Sequence, residues 1–260
     1  MQSGRMTALT ELVRSVRSIV ENEENVNRRV EKAEFDFATM VDLKIQEHIA
    51  RNLETLYPGS QFMGEEGAGK APDLNEPTWI LDPIDGTTNL IHRYPQCAVA
   101  LALMEKRQIT LGIVFNPFLD QMFTAEKGRG AWLDGKPIRV SRVERLHESL
   151  VSIGTSPYTK ARAGENFSLA REVFTRCQDI RRCGAAALEI AYVAMGVAEG
   201  YYERGLKPWD YAAGKILLEE AGGRMSAMDG AEIPTGLASD CLATNGLVHE
   251  EMLSLTAKAR

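Results

Sequence analysis

Residues 79–89 read W-I-L-D-P-I-D-G-T-T-N and place two aspartates, Asp82 and Asp85, three positions apart. The apolar run before them predicts the end of a buried strand. Pro83 has no backbone N–H, so we expect the chain to leave the sheet there. Two carboxylates on so tight a turn would repel each other at neutral pH, and a hard divalent cation with oxygen ligands would remove that repulsion. For an isolated pair of aspartates, a solvated turn is the alternative.

Glu65 and Asp210 lie at similar junctions elsewhere in the chain. Glu65 belongs to the segment 64–67, G-E-E-G, which follows the apolar pair 62–63. Asp210 precedes an alanine-rich helical stretch, where it would also serve as a helix cap or first-turn acid. Acids at several strand or turn junctions, without a matching basic cluster, favour a carboxylate site for magnesium.

The composition of the 260-residue chain limits the classes of function. Hydrophobic residues make up 44% and charged residues 25%, as in an ordinary globular protein. The net charge of −6 argues against direct binding to nucleic acid or to anionic membranes. No apolar run approaches the roughly 20 residues of a membrane-spanning helix, and the N-terminus lacks a signal-peptide core. Four scattered cysteines without a C-x-x-C pair predict free thiols in a reducing cytoplasm.

The elements that must position these acids fall into two halves. In the first half, apolar periodicity predicts a helix over residues 7–22, which a charged connection over 21–34 follows. Short apolar runs at 98–104, 109–115 and 121–125 predict an antiparallel sheet. Between them lies a second predicted helix, and its apolar face comprises Val41, Ile45, Ile49, Leu53 and Leu56.

The second half alternates strands and helices, which predicts α/β layering. A polar segment at 140–148 is the predicted boundary, so the halves comprise residues 1–145, with most metal ligands, and 146–260, with Asp210 and the substrate contacts. The predicted elements are strands at 149–154, 180–182, 200–202, 224–226 and 242–244, and helices at 164–177, 186–195, 210–221 and 248–258.

The order of these motifs resembles the inositol monophosphatase family of magnesium-dependent, lithium-sensitive phosphatases. The resemblance extends over residues 7–250 and implies an α+β fold, a five-layered α-β-α-β-α sandwich of the sugar-phosphatase type, and a homodimer. Ile84 and the segment 92–95, H-R-Y-P, are more similar to the inositol phosphatase branch than to the fructose-bisphosphatase or nucleotidase branches. The matching segments are D-F-A-T-M-V-D at 36–42, G-E-E at 64–66, the stretch 79–89, and W-D-Y-A-A-G at 209–214.

The resemblance implies two or three Mg²⁺ ions in the active site. Glu65, Asp82 and the backbone carbonyl of Ile84 would hold the first ion. Asp82, Asp85 and Asp210 would hold the second, with Asp82 bridging the two. A third, weaker ion would lie near Glu65 through water. Two such metals can clamp the entering and leaving oxygens of an in-line displacement.

The resemblance also implies attack by a metal-bound water. Glu65 and Thr87 would orient this water and accept its proton, and the backbone N–H groups of Gly86 and Thr87 would donate to the phosphate. The alternative for Thr87 is an ordinary turn residue. Lys32 and Asp42 resemble a lysine and an aspartate that flank the outer metal site, although a surface lysine and a helix cap explain them equally well.

The alcohol half of the substrate would contact a different part of the chain. Segment 183–187, C-G-A-A-A, aligns with relatives that have Gly-Ser or Gly-Thr before Ala-Ala, so Ala185 lacks that hydroxyl. Glu203 matches an acid that contacts inositol hydroxyls in relatives, and a surface charge at a strand end is the alternative. Asp85 is predicted to take part in catalysis as well as in binding. The predicted substrate contacts are Asp85, Gly86, Thr87, Gly184, Ala185, Ala186, Glu203 and Asp210.

We therefore predict a Mg²⁺-dependent phosphomonoesterase of the inositol-1-monophosphatase type that acts on a small polyol phosphate. The same chemistry on histidinol phosphate, a 3′-phosphonucleotide, NADP or fructose 1,6-bisphosphate is the first alternative. The second alternative is a binding factor for the transcription machinery with secondary phosphatase activity, because some bacterial relatives have that role. Neither membrane nor direct nucleic-acid binding is expected.

Overall fold

The computed structural model describes residues 4–33, 36–67 and 72–258. The helices among them are Gly4–Ser15 (α1), Arg17–Val20 (α2), Glu23–Asn27 (α3), Met40–Leu56 (α4), Thr87–Ile91 (α5), Ala163–Phe174 (α6), Ala186–Ala194 (α7), Pro208–Glu220 (α8) and His249–Thr256 (α9). The strands are Arg29–Ala33 (β1), Asp36–Thr39 (β2), Gln61–Gly64 (β3), Thr78–Asp85 (β4), Ala98–Glu105 (β5), Gln108–Asn116 (β6), Gln121–Glu126 (β7), Gly130–Leu133 (β8), Lys136–Pro137 (β9), Leu150–Ile153 (β10), Asp179–Arg181 (β11), Gly200–Leu206 (β12), Arg224–Ala227 (β13) and Ser239–Thr244 (β14).

Two large sheets alternate with three layers of helices. The seven-stranded sheet has the order β3-β4-β5-β6-β7-β8-β9, and the five-stranded sheet has the order β11-β10-β12-β14-β13. One hydrophobic cluster joins α1, α2 and α4 to the outer face of the larger sheet. A central cluster joins α7 and α8 to both sheets, and a third joins α6 and α9 to the smaller sheet. The predicted α-β-α-β-α sandwich is confirmed.

The N-terminal region differs from its predicted form. The helix predicted over 7–22 is interrupted at Val16, and the connection predicted over 21–34 contains α3 and β1. Asn22 begins α3, because its side chain accepts hydrogen bonds from the backbone N–H groups of Glu24 and Asn25. The sequence signal N-E-E at 22–24 was therefore a missed helix start. Residue 34 of the predicted connection lies outside the described residues.

The prediction that the chain leaves the sheet at Pro83 is wrong. Strand β4 pairs with β5 at Asp82 opposite Ala100, and again at Asp85 opposite Ala98. A step of three residues on β4 thus matches a step of two on β5, which is a β-bulge and tolerates a residue without an N–H. In a regular strand, side chains three positions apart point to opposite faces. The extra residue lets both aspartates face the central helical layer.

Helix α8 positions Asp210 through close packing on the larger sheet. A Cβ at Gly112 of β6 would lie 2.5 Å from Ile216 Cγ2 and 2.7 Å from Ala213 O, so only glycine allows α8 to approach so closely. The four cysteines are free thiols, as predicted. Across the residues that the structure describes, no helix is long and apolar enough to cross a membrane. The division at residue 145 stays a prediction.

Candidate active site

A cavity of about 420 Å³ lies where the edge of the larger sheet meets the smaller sheet and the N-terminus of α8. Predicted site residues from both halves of the chain line it together. Lys32 and Asp42 are not among its lining residues, but each contacts one that is. The predicted residues that line the cavity are Glu65, Asp82, Ile84, Asp85, Gly86, Thr87, Gly184, Ala185, Ala186, Glu203 and Asp210.

Asp82 is a buried carboxyl group with one oxygen, Oδ1, that lacks a hydrogen-bond partner among the described residues. Burial, together with repulsion from Glu65, Asp85 and Asp210, raises the pKa of Asp82 well above the usual value for aspartate. A buried carboxylate in this state lacks a counter-charge.

Asp85 is held by the start of helix α7. Its two oxygens accept hydrogen bonds from the backbone N–H groups of Ala186, at 3.0 Å, and Ala187, at 2.6 Å. Burial raises the pKa of Asp85 to about 7, although these two donors act in the opposite direction. The contact joins β4 to a segment one hundred residues further along the chain.

Asp210 lies in the first turn of α8, as one of its two interpretations predicted. Its Oδ2 atom accepts a hydrogen bond of 2.7 Å from the backbone N–H of Lys207, so it caps the helix. Asp210 also lines the acidic cavity, where burial and repulsion from Asp85 raise its pKa well above normal. It therefore both caps α8 and belongs to the cluster of carboxyl groups in the cavity.

Lys32 supplies a cation at the mouth of the site. Its Nζ atom lies 3.0 Å from Glu65 Oε1 and 2.5 Å from Glu66 Oε1. Burial acts to lower the pKa of Lys32, but the two carboxylates outweigh it and raise the pKa. Gln46 of α4 binds the backbone of Glu66 on both its N–H and its carbonyl, which fixes the turn that carries Glu65. The role of Lys32 beside the outer metal site stays a prediction.

Thr87 and Asp42 form a buried hydroxyl–carboxylate pair. The Thr87 Oγ1 atom lies 3.1 Å from Asp42 Oδ1 and 3.0 Å from the carbonyl oxygen of Ile84. Asp42 Oδ2 accepts hydrogen bonds from the Thr39 N–H and hydroxyl, each at 2.7 Å, so Asp42 also caps α4. Burial raises the pKa of Asp42. The pair connects α4 to the C-terminal end of β4.

Asn89 and Glu189 fasten the segment 183–187, and sequence reasoning assigned neither a role. Asn89 Nδ2 donates to the carbonyls of Gln96, at 2.6 Å, and Cys183, at 2.8 Å. Buried Glu189 accepts from the Cys183 N–H and, at 3.4 Å, from the Gly184 N–H. The backbone N–H of Gly184, one of the predicted substrate contacts, therefore already has an acceptor within the chain. The position of Asn89 in the D-G-T-T-N motif was a signal for its role, whereas Glu189 offered none.

The donor set fits a hard divalent cation. Along 4–33, 36–67 and 72–258, no three acidic, histidine or cysteine side chains already surround one point as metal ligands would. The unpartnered oxygen of Asp82 is nevertheless a ready ligand, and a carboxylate oxygen that accepts one N–H keeps a second lone pair. Oxygen-only donors with excess negative charge suit Mg²⁺ better than zinc or copper.

Comparison with known proteins identifies close relatives of the whole chain. A family model described as "Inositol monophosphatase family" matches residues 2–260. An inositol monophosphatase of Dictyostelium discoideum is 40% identical over 211 residues, which are 79% of this chain and 77% of that protein. The Nus factor SuhB of Xylella fastidiosa is 37% identical over 205 residues, 79% of this chain and 74% of the relative. The solved structure of a Thermotoga maritima IMPase has a TM-score of 0.89 and 31% identity, and covers 99% of this chain and 98% of its own.

Proposed function

Because the chain belongs to the inositol monophosphatase family, we propose that its acidic cavity hydrolyses a small polyol phosphate with Mg²⁺ as cofactor. The chain is a phosphoric monoester hydrolase, like the monophosphatases it resembles. The metal assignment rests on the buried Asp82 oxygen, which has no hydrogen-bond partner among the described residues. Three further carboxylates, those of Glu65, Asp85 and Asp210, are close enough to repel it. Divalent cations would supply the positive charge that these carboxylates lack.

Glu65, Asp82 and the carbonyl of Ile84 would hold one Mg²⁺, and Asp82, Asp85 and Asp210 a second, with a third weaker ion near Glu65. When bound, Mg²⁺ would lower the pKa of a coordinated water and neutralise charge on the phosphate oxygens. These residues line the same cavity as Glu203 and the segment 184–186, which supports the proposal that the alcohol half of the ester binds beside the metal site.

Thr87 is the proposed positioning group for the attacking water. Its hydroxyl has two acceptors within hydrogen-bond distance, Asp42 Oδ1 and Ile84 O, but a single proton to donate. It can therefore pass its own proton to Asp42 as its oxygen takes one from the water, so that the proton ends on Asp42. Glu65 is the second proposed acceptor for the proton of the water. As the new P–O bond forms, the ester P–O bond breaks, and the leaving oxygen takes a proton from a solvent water and departs as the alcohol.

Glu203 and the segment 184–186 are the proposed contacts to the alcohol. Ala185 has no hydroxyl to offer, so selectivity depends more on Glu203. This favours a substrate with hydroxyl groups near the phosphate. Histidinol phosphate, 3′-phosphonucleotides, NADP and fructose 1,6-bisphosphate are the competing esters.

A transcription-associated role is a second candidate, because the relative from Xylella fastidiosa is named a Nus factor. We also propose a homodimer, since α6 exposes Phe167 and Phe174 and the side chains of Tyr94 and Val197 are exposed as well. The four free thiols favour the cytoplasm as its compartment. Light scattering of the purified chain tests the dimer, and a pull-down against purified transcription proteins tests the partner.

A phosphate-release assay over inositol, sugar and nucleotide phosphates tests the proposal. We expect release to require Mg²⁺, to fall in millimolar lithium, and to be highest for a polyol phosphate. Asp85→Asn should lower release by roughly 10³-fold while circular dichroism shows an intact fold, because it removes charge from a metal ligand. Full activity of that variant would refute the metal assignment.

A further inference from the structure

Tyr201 of β12 and the segment 154–156 hold the Glu203 side chain. The Tyr201 hydroxyl donates to Glu203 Oε2 at 2.7 Å, and the backbone N–H of Ser156 donates to Glu203 Oε1 at 2.8 Å. A Cβ at Gly154 would lie 2.2–2.3 Å from three carbons of the Glu203 side chain. Both carboxylate oxygens are thus engaged, and glycine leaves the space in which the side chain lies.

Strand geometry explains why Tyr201 can reach Glu203 and its neighbour cannot. Tyr201 and Glu203 are two positions apart on β12, so they face the same side of the sheet, toward the central helical layer. Tyr202 faces the opposite side and packs in the cluster under α6 and α9. Its hydroxyl is buried and has no hydrogen-bond partner within the described chain.

The Ser156 contact is made by a backbone in an uncommon conformation. Ser156 has a φ of 48°, in the left-handed region that non-glycine residues rarely adopt. Its hydroxyl donates to the carbonyl of Arg204 at 3.0 Å, which ties this turn to the residue after Glu203. Backbone strain of this kind persists where the surrounding structure imposes it, often at binding sites.

We propose that Tyr201 is a positioning residue for substrate selection, which fixes Glu203, together with the Ser156 amide, as an acceptor for hydroxyl groups of the alcohol half. This rests on the proposed phosphomonoesterase function. Each Glu203 oxygen uses one lone pair on a protein donor and keeps one for the substrate. Two neighbouring substrate hydroxyls can therefore donate to the same carboxylate. Because its rotamer is already set, little conformational freedom is lost on binding.

Tyr201→Phe and Tyr202→Phe form a matched pair of variants that each remove one buried hydroxyl from β12. The measured quantity is the ratio of kcat/KM for myo-inositol 1-phosphate to kcat/KM for phenyl phosphate, which has no hydroxyl groups on its ring. We expect Tyr201→Phe to lower this ratio roughly three- to tenfold, mainly through KM for the polyol ester. Tyr202→Phe should keep the wild-type ratio.

A double-mutant cycle with Glu203→Gln separates positioning from a general packing effect. If Tyr201 acts through Glu203, Tyr201→Phe should lower the ratio no further once Glu203 is glutamine. Equal losses on both esters, additive effects in the cycle, or the same loss in Tyr202→Phe would each overturn the inference. A wild-type chain that hydrolyses neither ester would instead refute the proposed function itself.

Discussion

Two carboxylates that line the cavity differ in their hydrogen bonds: Asp82 on β4, the strand called the floor here, and Glu203 on β12, called the wall. On the floor, formed by β4, Asp82 is buried with an oxygen that no donor of the described chain contacts. On the wall, formed by β12, both oxygens of Glu203 accept hydrogen bonds from the protein. Asp82 therefore lacks a counter-charge that a cation could supply. Glu203 is instead held in one position, in which it can accept hydrogen bonds from neutral hydroxyl groups.

Asp82→Asn tests the floor and should have the largest effect. Phosphate release should fall by roughly 10³-fold, because a proposed metal ligand loses its charge. Without divalent cations, the free energy of unfolding at pH 7 should rise by about 1–2 kcal/mol, because the variant lacks a carboxyl whose ionised form burial disfavours in the folded state. With Mg²⁺ the order should reverse, since only the wild type gains from ion binding. Thermal unfolding with and without Mg²⁺ measures both.

Asp85→Asn is the matched control for this stability change. Its carboxylate accepts two backbone N–H groups, so an amide nitrogen would meet one of those donors. We expect the free energy of unfolding to fall by about 1–2 kcal/mol without metal. If Asp82→Asn and Asp85→Asn change the free energy of unfolding in the same direction, the hydrogen bonds to these carboxylates do not determine whether the substitution stabilises the chain.

Gly154→Ala tests the wall. The new Cβ would overlap the Glu203 side chain and force it to move. We expect a loss of preference for the polyol ester comparable to that of Glu203→Gln, and a decrease of about 1–3 kcal/mol in the free energy of unfolding. Chemical denaturation and the two-ester assay measure these effects.

Gly164→Ala is the control for Gly154→Ala. A Cβ at Gly164, in the first turn of α6, meets nothing within 4 Å. This substitution should stabilise the chain by about 0.4–1 kcal/mol and leave ester preference unchanged. If both glycine variants changed the ester preference, the effect of Gly154→Ala could not be assigned to its contact with Glu203.

His249 provides a pH effect outside both regions. Its ring contacts the Ser226 and Thr244 hydroxyls, and burial with the nearby Arg224 lowers its pKa to about 4. An unfolded histidine takes up a proton near pH 6.5, so the free energy of unfolding should fall as pH decreases from 6.5 toward 4. The expected loss is on the order of 1–2 kcal/mol. Denaturation at several pH values measures it.

His249→Gln should remove this part of the pH dependence, and the exposed His147→Gln should keep it. If both variants retain the full slope, a group other than His249 causes the loss of stability in acid. The cavity carboxylates would not be that group, because their raised pKa values make the folded state gain stability as the pH falls.

Local sequence patterns predicted most of the fold. Periodic apolar residues located α4, α6, α7, α8 and the strands from β5 to β7, because each buries one continuous face. The predictions failed near residues 16–33, where α2, α3 and β1 are short and polar. They also failed at Pro83, since a bulge depends on the partner strand as much as on the proline.

The sequence by itself determined the acids and the family, because side-chain chemistry and motif order are properties of the chain. Only the tertiary structure decided which of those acids are already satisfied. Asp85 and Glu203 receive backbone N–H donors from segments far along the chain, and Asp82 receives none from the described part. Backbone donors exist at nearly every residue, so the sequence cannot show which one a carboxylate meets. Packing of β4, β12 and α7 makes that choice.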